Sequence, residues 1–76
     1  MNVIVVDHKT QVELRLAGAI WWEQKESIPS GQIGGIVEVQ HYPSENECQT
    51  INCKITQIIR TTNSNRYVYR LVKVND

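Results

Sequence analysis

Apolar and polar residues alternate along much of this chain of 76 residues, with the period of two that is typical of β-strands. No window shows the 3.6-residue apolar stripe of an amphipathic helix. The pattern predicts a first strand that is well buried, because Val3–Val6 is entirely apolar and β-branched. The full set of predicted strands covers residues 3–6, 12–16, 19–22, 36–42, 51–59 and 67–74.

Short polar, glycine and proline segments separate these strands and predict turns. Gly18 is expected to form a bulge inside a strand, Ile28–Gly31 a turn, and Pro43 the end of a strand. Residues 61–65 predict an exposed turn. We therefore expect one all-β domain over residues 1–76, a five- to six-stranded antiparallel barrel of OB-like or SH3-like type. The pattern leaves the choice between OB-like, SH3-like and PUA-like topologies open.

Two adjacent tryptophans lie in one predicted strand, so alternation places them on opposite faces of the sheet. At most one of them points into the core, and the pattern does not say which. Amphipathic aromatic residues commonly anchor protein interfaces, and a small domain often gains stability by assembly. The sequence therefore predicts a protein-binding or self-association surface formed by Trp21, Trp22, His41 and Tyr42.

Charge is unevenly distributed although the net charge is zero. Residues 1–53 carry three basic and seven acidic side chains, which sum to −4, whereas residues 54–76 carry five basic and one acidic, which sum to +4. In the last predicted strand Tyr67 and Tyr69 share one face, and Arg66 and Arg70 share the other. The alternative hypothesis is a single-stranded nucleic-acid surface, although zero net charge disfavours strong non-specific binding. Its predicted residues are Lys54, Arg60, Arg66, Tyr67, Tyr69, Arg70 and Lys73.

Catalytic and metal-binding chemistry finds little support in the sequence. The spacing of His8, His41, Cys48 and Cys53 matches no structural zinc pattern. No serine lies in a nucleophile motif, and the glycines of residues 31–35 precede no predicted helix. We therefore expect no enzyme activity, metal or cofactor.

Cysteine usage and hydropathy bear on the compartment of the protein. Cys53 is expected to be a buried thiol and Cys48 a loop thiol, which fits a reducing environment. No apolar run approaches the ~18 residues that span a bilayer. The sequence-based expectation is a cytoplasmic protein without membrane insertion.

Two stretches resemble known families. The segments Arg15–Trp21, Ile28–Gly31 and Ile36–Val39 resemble the C-terminal OB-fold domain of NfeD-like proteins over residues 12–39, which implies an OB-like barrel and a protein-partner role. A second likeness, in Lys9–Arg15 and Val37–Ile59, is to ASCH (PUA-related) domains, which are linked to RNA. The first expectation is thus a non-enzymatic protein-binding or self-assembly module. The alternative is an OB-like or PUA-like nucleic-acid-binding protein.

Overall fold

The computed structural model describes residues 2–29, 31–63 and 65–74, and within them most residues belong to strands. The strands form one five-stranded sheet in the order β1-β3-β4-β5-β2. The mainly-β prediction is confirmed, but the finer prediction of a closed antiparallel barrel is not. The sheet is mixed, since β1 pairs with β3 in parallel, and β1 and β2 stand at its two ends. The elements are β1 (Asn2–Val5), α1 (His8–Ala17), β2 (Ala19–Gln24), β3 (Ile36–Ser44), β4 (Glu47–Thr61) and β5 (Arg66–Lys73).

A ten-residue helix stands where a polar connection and a strand were predicted. Asp7 caps its first turn, because the Asp7 carboxylate accepts a hydrogen bond from the Thr10 N–H at 2.8 Å. Gly18 ends it in the left-handed region, with φ at 79°, and donates its N–H to the Leu14 carbonyl. Gly18 is therefore a helix cap and not the predicted strand bulge. Residues 8–17 therefore form a capped helix, although the period-two pattern within them is typical of a strand.

The helix covers one face of the sheet. Leu14 is fully buried, whereas Leu16 is 84% exposed, so the predicted alternation of buried positions at residues 12–16 is wrong. Gln11 is also buried, and its amide donates to the Gln49 side chain at 2.7 Å, which fastens α1 to β4. We call the sheet face under α1 the inner face and the opposite one the outer face.

The inner face forms the core. Ile4 and Val6 are buried, but Val3 and Val5 are 46% and 59% exposed, so the prediction of a well-buried strand over residues 3–6 holds only for alternate residues. One face of β1 has nothing packed over it in the described part of the chain, and alternation places every second residue there. The core also includes Leu14, Ile20, Ile28, Val37, Val39, Cys53, Ile55, Tyr69 and Leu71.

Two irregularities shape the central strands. β3 continues through Pro43 to Ser44, and β4 begins at Glu47, so both strands are longer than predicted. The pairing register shifts between His41 and Ser44, where the ladder tolerates a proline. A second shift between Ile55 and Gln57 bulges β4 and reverses the parity of its later residues.

The predicted turns at residues 28–31 and 61–65 are confirmed where the structure describes them. The Gly31 N–H donates to the Ile28 carbonyl at 2.8 Å. Thr62, Asn63 and Asn65 are exposed between β4 and β5, and Asn65 adopts the left-handed conformation. Ser30 and Ser64 lie outside the described residues.

Candidate binding face

Most of the large apolar side chains that are exposed in the described part of the chain lie on the outer face of the sheet. Strand register places alternate residues of all five strands on that side. Six large hydrophobic residues there are about half exposed, namely Val3, Val5, Trp21, Ile36, Tyr42 and Ile59. A monomeric surface rarely keeps so many large apolar groups on one side without a partner. The outer face is therefore the leading candidate for a binding surface.

An aromatic ring and a guanidinium group stack near one edge of this face. Trp21 on β2 pairs with Arg70 on β5 in the strand register. The Arg70 guanidinium carbon lies 5.0 Å from the centroid of the Trp21 ring, within the range of a cation–π interaction. This contact fixes the Trp21 ring against the Arg70 side chain of β5, and half of the Trp21 surface remains accessible.

Charges of both signs occupy the same face. Arg66 and Glu23 form an ion pair at 2.7 Å between β5 and β2. Both side chains are about half exposed, so this pair contributes little to stability. Register also places Lys54, Arg70 and Glu38 on this side. Three basic and two acidic residues leave the outer face with a formal charge of only +1.

The four residues predicted as a protein-binding set do not form one surface. Trp21 and Tyr42 are exposed on the outer face, but they are separated by β4 and β5. Trp22 packs against the core and donates its indole N–H to Gln24 at 2.9 Å. His41 is buried, with Nδ1 3.2 Å from the Val6 carbonyl oxygen. The prediction that Trp21 and Trp22 lie on opposite faces of the sheet is confirmed, and Trp21 is the exposed one.

Tyr42 belongs to a small polar group on the outer face. Its hydroxyl donates to the Gln40 side chain at 2.9 Å. Hydrogen bonding with the Cys48 side chain raises the pKa of the Tyr42 phenol. Tyr42 is thus neutral at physiological pH and offers an interface a ring with a hydrogen-bonding end.

The seven residues predicted for nucleic-acid binding divide between the two faces. Tyr69 is buried, and its hydroxyl accepts a hydrogen bond from the Ile28 N–H at 2.8 Å. Tyr67 is half-buried on the inner face under Arg60, whose guanidinium lies 5.7 Å from the ring centroid. Lys73 also lies on the inner side. The predicted stacking tyrosines are therefore unavailable, and only Lys54, Arg66 and Arg70 share the outer face.

Sequence reasoning missed the ring that accompanies those cations. The pairing of Trp21 with Arg70 depends on β2 lying beside β5, and sequence-distant neighbours of that kind leave no local signal. The exposure of Ile59 was also missed, because the bulge after Ile55 reverses parity within one apolar run. Both features can be predicted only when the strand register is known.

Among residues 2–29, 31–63 and 65–74, no group of three histidine, cysteine or acidic side chains is arranged to hold a metal ion. In the same ranges no helix is long and apolar enough to cross a membrane.

Comparisons with protein-family models, with curated proteins and with solved structures gave no match. Functional inference for this chain therefore rests on the geometry and chemistry of its own surface.

Proposed function

We propose that this chain is a non-enzymatic protein-binding module that self-associates through its outer face. One observation carries the proposal: six large, half-exposed hydrophobic residues lie on the sheet face that α1 does not cover. A sheet with one bare apolar face is completed when a second layer covers it. A second copy supplies such a layer by stacking the two sheets face to face.

The size of the face suits this arrangement. Five strands about 4.8 Å apart, which run from 4 to 15 residues and average about eight, present roughly 600 Å² of sheet surface. Standard protein interfaces bury about 800 Å² per partner, including the rim around the central contact. The outer face thus approaches the area that a stable dimer needs.

The charge of the face also permits self-pairing. Two copies of a strongly charged surface would repel each other, but this face carries only +1 from three basic and two acidic residues. The low charge also weakens attraction to phosphate backbones. Both effects favour a protein partner over a nucleic acid.

Light scattering coupled to gel filtration, at micromolar chain concentration, tests the proposal. We expect a dimer that Ile59→Lys converts to a monomer, because a lysine within the buried interface is costly to desolvate. Leu16→Lys is the matched control, since Leu16 is an exposed apolar residue on α1 and outside the face. A wild-type monomer at high micromolar concentration would contradict the proposal, as would equal effects of the two lysines.

A second candidate function, single-stranded nucleic-acid binding, is favoured by the stacked Trp21 and Arg70. Lys54 and Arg66 share that face, so a base could stack on the indole while cations follow the backbone. The likeness to ASCH domains, linked to RNA, points in the same direction. The low charge of the face ranks this candidate second.

Tryptophan fluorescence during titration with short single-stranded DNA and RNA at low salt tests the second candidate. If it holds, quenching saturates, and Arg70→Ala weakens binding more than Arg60→Ala, which alters the inner face. Unchanged fluorescence at low salt, together with a confirmed dimer, would exclude it and leave self-association.

A further inference from the structure

A second surface feature lies apart from the stacked Trp21 and Arg70, at the end of the sheet where α1 ends. It is an open cleft of about 290 Å³ between the last turn of α1, the first half of β4 and the end of β5. This volume is at the lower limit of ligand pockets, which range from ~300 to ~1,000 Å³. The cleft is lined by Arg15, Thr50, Ile51, Asn52, Lys73 and Val74.

Two cations from distant parts of the chain meet in this cleft. Arg15 belongs to the last turn of α1, and Lys73 is the last residue of β5. Among the described residues that line the cleft, none is acidic. The fold therefore brings a charge of +2 to one small concave surface.

Backbone hydrogen bonds fix the walls that carry these cations. The Lys73 N–H donates to the Gly18 carbonyl at 2.8 Å, which joins β5 to the end of α1. The Val74 N–H donates to the Asn52 carbonyl at 2.9 Å. The Arg15 guanidinium donates to the Gln49 side chain at 3.3 Å, which directs it toward β4. The separation of the two walls is thus largely set before any ligand binds.

Neutral polar groups and a neutral thiol complete the surroundings. Thr50 and Asn52 line the cleft from β4, although the strand register turns their side chains toward the outer face. Cys53, which pairs with Lys73, is buried, and burial raises the pKa of its thiol to about 11 while the Lys73 charge acts in the opposite direction. Cys53 is therefore uncharged at neutral pH and does not neutralise the lysine.

We propose that this cleft binds a small ligand through its phosphate group, with Arg15 and Lys73 as the charged contacts. Arginine offers a planar fork that matches phosphate oxygens, and lysine adds a compact positive charge. The apolar walls of Ile51 and Val74 leave room for little more than the phosphate and a small adjoining group. This proposal does not depend on the function proposed for the outer face.

Titration of the ¹⁵N-labelled protein at low salt tests the site, with chemical shifts as the readout. The probes are inorganic phosphate, pyrophosphate and adenosine monophosphate. We expect saturable shifts of the Asn52 and Lys73 amides. Equal affinity for all three probes assigns recognition to the phosphate alone, whereas tenfold tighter binding of the mononucleotide assigns the site to a phosphorylated nucleoside.

Charge-removing variants of similar length test the assigned contacts. Arg15→Gln and Lys73→Gln are each expected to weaken binding by roughly tenfold or more, and the double variant to abolish it. Arg60→Gln is the control, because Arg60 is a cation eight residues farther along β4 than Asn52. A ligand-dependent rise in melting temperature that both single variants reduce is a second readout. The absence of saturable shifts in the millimolar range, or equal weakening by Arg60→Gln, would overturn the proposal.

Discussion

The inner and outer faces of the sheet are built from the same strands and similar residues, yet they differ in what covers them. Trp21 and Trp22 are adjacent in sequence, but Trp22 packs against the core while half of Trp21 is exposed. Val5 is likewise exposed beside the buried Ile4. Hydrophobicity alone does not decide which residues are buried here. The position of α1 decides it, because the helix covers only one set of alternating side chains.

The difference between the faces has an energetic consequence. Apolar area on the inner face has already left water, and each Å² contributes about 25 cal/mol to folding. The same kind of area on the outer face remains hydrated and is available to drive association. A small domain gains little stability from a single covered face, so assembly would add to it.

The two cysteines provide the largest expected contrast between the faces. Cys53 is fully buried on the inner face, whereas Cys48 is exposed on the same strand. Burial raises the pKa of the Cys53 thiol to about 11. At pH 8 only about one part in a thousand of such a thiol is the reactive thiolate. We expect Cys53 to react at least a hundredfold more slowly than Cys48 with a disulfide reagent.

Absorbance during the reaction measures this contrast. One thiol per chain should react quickly in the native protein, and two should react quickly in concentrated urea. Cys48→Ser should remove the fast native phase while leaving the slow one. Rapid native reaction of both thiols would mean that the inner face opens to solvent more easily than its packing indicates.

The two leucines of α1 provide the next contrast, in stability. Leu14 is fully buried and Leu16 is 84% exposed, so Leu14→Ala removes core packing and Leu16→Ala does not. We expect a loss of about 3 kcal/mol for Leu14→Ala and a change within about 0.5 kcal/mol for Leu16→Ala, both from urea unfolding. Leu14→Met conserves volume and should cost less than about 1.5 kcal/mol. Comparable losses for the two alanines would favour the strand that the alternation predicts.

This leucine pair also shows where sequence reasoning was insufficient. The period-two pattern at residues 12–16 was genuine, but Asp7 and Gly18 flank it as a helix cap pair, and that signal was present in the sequence. In contrast, the alternation of side chains correctly predicted that Trp21 and Trp22 lie on opposite faces of the sheet. It also correctly placed Tyr67 and Arg66 on opposite faces. Local periodicity therefore established the side-chain alternation of the strands.

Features that depend on non-local pairing were beyond sequence reasoning. The contact of Trp21 with Arg70, and the meeting of Arg15 with Lys73, both require a sheet order that joins β5 to β2 and places α1 beside them. No spacing rule along the chain specifies that order. Some of the candidate residues on the outer face could thus be predicted from the sequence, but their positions relative to one another could not.

The two tyrosines of β5 give a smaller contrast within the inner face. Tyr69→Phe removes the hydroxyl that accepts the Ile28 N–H and leaves that buried donor without its partner. We expect a loss of about 1–3 kcal/mol from urea unfolding. Tyr67→Phe is the control, because its half-buried ring keeps its packing against Tyr69, with centroids 6.4 Å apart. Equal losses would show that the link between Tyr69 and Ile28 contributes nothing specific to stability.

The smallest expected effect concerns the cap that holds α1 over the inner face. Hydrogen bonds from Thr10 lower the pKa of Asp7 below its ordinary value of 3.8. A carboxyl with a depressed folded pKa stabilises the fold fully above its unfolded pKa, and this contribution is lost as the pH falls through the folded pKa. Asn caps a helix about as well as Asp but does not ionise.

Urea midpoints of the protein and of Asp7→Asn between pH 7 and pH 2 measure that contribution. The stability advantage of the protein over the variant should be constant well above pH 3.8 and should shrink below it. Asp7→Ala should be less stable than both at pH 7, because it loses the cap altogether. Since α1 decides which face of the sheet is buried, any loosening of its first turn should expose the buried Gln11 before the strands separate. An advantage that stays constant down to pH 2 would mean that the Asp7 charge has no part in holding the helix over the core.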